Sequence, residues 1–77
     1  MDEDLARILV RGGTIASREL TRLYDLLLQH LPEDKELRFG VASALAEVGL
    51  KVIQPAFDAH PELQVELERQ LRKYGTS

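Results

Sequence analysis

The chain has 77 residues with no cysteine and no tryptophan; 44% are hydrophobic and 30% charged. That composition excludes a disulfide scaffold, a thiol enzyme and a cysteine zinc site, and it is too apolar for a disordered segment. The net charge of −3 is spread evenly, with eight acids and six bases in residues 1–38 and five acids and four bases in residues 39–77, so neither half reads as a basic nucleic-acid tail or an acidic tail.

The start Met1-Asp2-Glu3-Asp4 is acidic and unlike a signal peptide, and no apolar run approaches the ~20 residues that span a bilayer. A soluble, cytoplasmic chain forming one helical domain over residues 1–77 is expected. Area scaling gives roughly 12,600 Å² for the unfolded chain and roughly 4,700 Å² for a compact fold of this mass. A core of that size leaves a marginal fold, and with no metal or disulfide available, association is the remaining source of stability.

Four helices are predicted, at about 3–11, 17–31, 33–54 and 61–74, and no strand. Leu5, Ile8 and Leu9 form the first stripe, and acids at its start and Arg7 and Arg11 near its end suit the helix dipole. Gly12-Gly13 reads as its stop. Thr14 or Ser17 is the expected cap of the second helix, whose apolar face is Leu20, Leu23, Tyr24, Leu27 and Leu31. Pro32 ends it and can open the third helix at its first position.

The third helix is the informative one. Leu37, Val41, Ala44, Leu45, Val48 and Val52 fall in one sector, and Phe39, Ala42, Ala46, Gly49, Leu50 and Ile53 in the nearly opposite one. A surface helix needs one apolar stripe, so this helix should be covered on both sides. Pro55 either kinks it through Phe57 or ends it. The last helix points Leu63, Leu67, Leu71 and Tyr74 inward; Gly75 is its expected stop, and Thr76-Ser77 a short tail.

No constellation of residues calls for catalysis, a cofactor or a metal. Asp58, His60 and Glu62 are three potential ligands in five residues, yet they stand at a helix entrance, where capping by Asp58 and a surface histidine account for them. Ser17 and Ser43 have no histidine near in sequence. Arg7 and Arg11, then Arg18 and Arg22, are pairs one turn apart; side by side they would form a patch able to contact an anion or nucleic acid. Acids interrupt it, and no aromatic side chain is there to stack on bases.

Ala44–Leu50 superficially resembles the turn of a helix-turn-helix DNA reader. Its alanine, however, is three residues before the glycine and not four, and Pro55 would fall within the recognition helix. Residues 18–49 resemble one hairpin of a tetratricopeptide repeat, through Tyr24, Leu28, Pro32, Val41, Ala42, Leu45, Val48 and Gly49. Arg38 stands at the tryptophan-like position, and the chain is too short for three repeats; what the spacing implies is a tight αα-hairpin.

The expected role follows from the third helix. Ala42, Ala46 and Gly49 let another helix approach closely, and Phe39, Leu50, Ile53 and Phe57 supply area. This points to a small non-enzymatic interaction protein, working as a homodimer or on an unknown protein partner. The alternative is a nucleic-acid-binding regulator using Arg7, Arg11, Arg18 and Arg22. No membrane partner is expected.

Overall fold

The computed structural model describes residues 1–74, apart from the side chain of Tyr74. The expected stop at Gly75 and the Thr76-Ser77 tail lie outside these residues. The described chain is entirely helical apart from its first residues and short connections, and it holds three helices where four were expected. Helix α1 is Glu3–His30. Helix α2 covers 35–59 as one rod, α-helical over Lys35–Val48, π-helical over Gly49–Ile53 and α-helical again over Gln54–Ala59. Helix α3 is Glu62–Tyr74.

The helix expected to end at Gly12-Gly13 continues beyond it. The pair does not stop a helix; α1 runs through it for 28 residues. Ala6, Val10 and Gly13 follow at i, i+4 and i+7, and all three are buried. A Cβ built on Gly13 would lie 2.5 Å from Cγ1 of Ile53. Gly13 is therefore the floor on which Ile53 of α2 rests, and the contact outweighs the ~1 kcal/mol that glycine costs inside a helix. A Cβ on Gly12 would meet nothing within 4 Å. With no break, Thr14 is not a cap; its hydroxyl donates to the Val10 carbonyl one turn back. The cap of α1 is Asp2, which accepts from the Asp4 amide at 3.3 Å.

Helix α2 begins at Lys35, and not at Pro32, because the Asp34 carboxylate caps it by accepting from the Leu37 amide at 3.0 Å. Pro32 stays in the connection, where its carbonyl accepts from the Arg38 guanidinium. The far end continues past residue 54 to Ala59. Pro55 has no N–H to donate and would crowd a regular α-helix; the π turn before it, with the Gln54 amide donating to the Gly49 carbonyl, is the local widening that accommodates it. Asp58 lies inside this rod, bonded to Gln54 at 2.9 Å, and does not cap α3.

α1 and α2 form an αα-hairpin closed by residues 31–34, and α3 folds back from His60 onto the open end. The buried cluster is Ala6, Val10, Ala56 and Leu63, with Leu9, Phe57 and Leu67 packed against it. The particle measures 42 × 27 × 14 Å, with a radius of gyration of 14.4 Å against about 11.5 Å for a compact chain of this length. Along α2, Val41, Leu45 and Val48 are half-buried, whereas Phe39, Ala42, Ala46 and Leu50 are exposed. The accessible surface is 5776 Å², well above the roughly 4,700 Å² of a compact fold. The chain covers one side of α2, not two.

The two adjacent glycines should therefore respond oppositely to alanine. Gly12→Ala is expected to stabilise the protein by about 0.5–1 kcal/mol, and Gly13→Ala to destabilise it by about 1–3 kcal/mol through crowding of Ile53. Urea denaturation of both variants measures the two signs directly.

Candidate functional site

Two surfaces stand out, one on α2 and one between α1 and α3. On α2, Phe39 is 77% and Leu50 65% exposed, and Ala42 and Ala46 between them are also exposed. Gly49 is half-buried, and a Cβ there would meet nothing of this chain within 4 Å. Ile53 and Phe57, expected on the same face, are half-buried and turned to the chain's own interior: Ile53 meets Gly13 and Phe57 packs on the buried cluster. The π turn and the long α1 draw these two inward. What stays bare is the stripe Phe39, Ala42, Ala46 and Leu50, about 17 Å long at 1.5 Å per residue.

The arginines change meaning once α1 is unbroken. Arg7, Arg11, Arg18 and Arg22 fall within about 60° of one another on a single helix, at 100° per residue. They are not equally available. Arg7 reaches Glu3 at 3.1 Å and Glu66 of α3 at 3.6 Å. Arg22 is held by Glu19, whose carboxyl is pushed below its ordinary range, chiefly by the hydrogen bond from Arg22. Arg11 and Arg18 are exposed and, among the described residues, make no hydrogen bond or ion pair. Both line a groove of about 610 Å³ between α1 and α3, with Ile8, Ile15, Leu63 and Leu67. Reading the helices singly misses this groove, because its walls come from helices fifty residues apart.

No helix among the described residues is long and apolar enough to cross a membrane, and none of their His, Asp and Glu side chains gather in a group of three able to hold a metal ion. His60 has a different task from the ligand role weighed for it. Its Nε2 lies 2.7 Å from the Met1 carbonyl and its Nδ1 3.2 Å from the Glu62 carboxylate. Both partners are acceptors, so only the protonated ring donates to both. The helix-turn-helix resemblance fails at this level too, since the backbone is helical straight through Gly49. Comparison with protein-family models, with curated proteins and with solved structures finds no match to this chain.

The His60 imidazole titrates above its ordinary value of 6.5, first because of the Met1 carbonyl and then because of Glu62 and Glu3, with desolvation opposing them. A raised folded pKa means that its stabilisation is complete below the unfolded value and fades as pH rises through the folded one. The stability difference between the natural chain and His60→Ala should thus be larger at pH 5.5 than at pH 8.5. Urea midpoints at the two pH values, with an NMR titration of the His60 ring, check both the sign and the position.

Proposed function

We propose that this chain is a small non-enzymatic helical interaction protein of the cytoplasm, working through protein–protein contacts as a homodimer built on the outer face of α2. The observation that supports this reading is the bare stripe Phe39, Ala42, Ala46 and Leu50 on a helix whose other side is already packed. Phe39, Ala42, Ala46 and Leu50 make one contiguous apolar strip, and it is contiguous apolar surface, not single exposed side chains, that marks contact sites. The two alanines between them let a second helix approach to about 8 Å. A twofold arrangement, α2 against its own copy, uses this one patch twice.

Magnitudes set the expected strength. Covering Phe39 and Leu50 in both copies contributes on the order of 6–12 kcal/mol. The freedom lost on association costs about 4–15 kcal/mol. Terms of similar size give a dimer that depends on concentration. The nucleic-acid alternative has less in its favour, because Arg7 and Arg22 are engaged by carboxylates and isoleucines stand among the two free arginines.

Light scattering coupled to size exclusion tests the reading. The expected result is a shift from 8.7 kDa towards twice that mass as concentration rises into the high micromolar range. Leu50→Asp or Phe39→Asp should hold the protein at the single-chain mass with unchanged helical circular dichroism. Ile53→Asp serves as the contrast: its side chain rests on Gly13, so it should unfold the chain. A natural chain that stays at 8.7 kDa throughout removes the dimer.

A further inference from the structure

The groove between α1 and α3 runs along the edge of the core, with buried Val10 and Leu63 in its lining, and is separate from the bare face of α2. Ile8 and Ile15 are 66% and 57% exposed along it. They are seven residues apart, as are Arg11 and Arg18. On a continuous helix a seven-residue step returns to within ~20° of the same direction and advances about 10.5 Å. The groove therefore carries two parallel ladders of equal pitch, one apolar and one basic. Half-buried Leu67 supplies the opposite apolar flank from α3, and Leu63 beneath it belongs to the core. Arg7 is drawn towards Glu3 and Glu66 at one end, which leaves Arg11 and Arg18 as the unpaired cations among the described residues of the groove.

We propose that this groove is a docking site for an acidic amphipathic helix of a partner protein, its apolar stripe laid on Ile8, Ile15 and Leu67 and two carboxylates seven residues apart set against Arg11 and Arg18. Charge complementarity selects the occupant. A free guanidinium is the donor best matched to a carboxylate, and the two arginines repeat at the pitch of a helix lying alongside. An extended polyanion fits worse: Arg7 is engaged by Glu3 and Glu66, and two isoleucines occupy the positions where phosphates would need further cations. The site lies on α1 and α3 and does not depend on the face that would form the dimer.

The test uses the full chain and two fluorescein-labelled 14-residue helical peptides. They share one leucine–alanine stripe and differ only in carrying glutamates or lysines at positions seven apart beside it. Fluorescence anisotropy should show at least tenfold tighter binding of the glutamate peptide, weakening with salt. Arg11→Glu with Arg18→Glu, both exposed positions, should reverse the preference. Ile15→Asp should weaken both peptides. Amide shifts on titration should centre on Ile8, Ile15 and Leu67. Equal binding of the two peptides, no binding at millimolar concentration, or shifts centred on Phe39 and Leu50 would each overturn the proposal. So would displacement of the glutamate peptide by phosphatidylserine vesicles or duplex DNA at physiological salt.

Discussion

The contact between Gly13 and Ile53 is the constraint on which the arrangement of this molecule rests. Only a residue without a side chain lets Ile53 settle against the backbone of α1. That approach brings the π turn of α2 against the middle of α1, and it sets how deep Ala56 and Phe57 reach the buried cluster. It also makes it worthwhile for α1 to stay helical through two consecutive glycines. A tertiary contact here overrides a local preference, as it often does when propensity differences are about 1 kcal/mol per residue.

The same contact explains how much could be read from the sequence. Helical character was legible throughout, because Leu20, Tyr24 and Leu27 on one element and Val41, Leu45 and Val48 on another keep a clean helical spacing. The hairpin at Pro32 was legible too. The end of the first helix was not: Gly12-Gly13 carries the chemistry of a terminator, and only the partner forty positions away makes Gly13 a packing site. Pro55 hid the other boundary, since the widened turn that tolerates it leaves no mark in the sequence. The bare face of α2 was partly visible. Phe39 and Leu50 lie where the periodicity put them, but Ile53 and Phe57 are drawn inward at the π turn. The false break assigned the arginines to two helices, so that a single patch was legible but its seven-residue pitch along one helix was not.

A chain of 77 residues arranged as a hairpin with one short helix across its open end has little interior. Its buried cluster is made of small and medium side chains, two of them alanine. Large apolar side chains such as Phe39, Leu50, Ile8 and Ile15 are left on outer faces, in two separate places with different electrical character. One is flanked by alanines and is close to neutral; the other alternates with free arginines.

The position of the core has a further consequence for motion. The cluster of Ala6, Val10, Ala56 and Leu63 sits where all three helices meet, while the opposite tip, around Leu28, Leu31 and Leu37, is exposed. Fraying therefore starts at that tip and travels down the hairpin, so that amide hydrogens near the Pro32 connection exchange through small local openings. Those around Gly13 and Ala56 wait for the whole structure to come apart. The protein is a clasp, riveted at one end and free to breathe at the other.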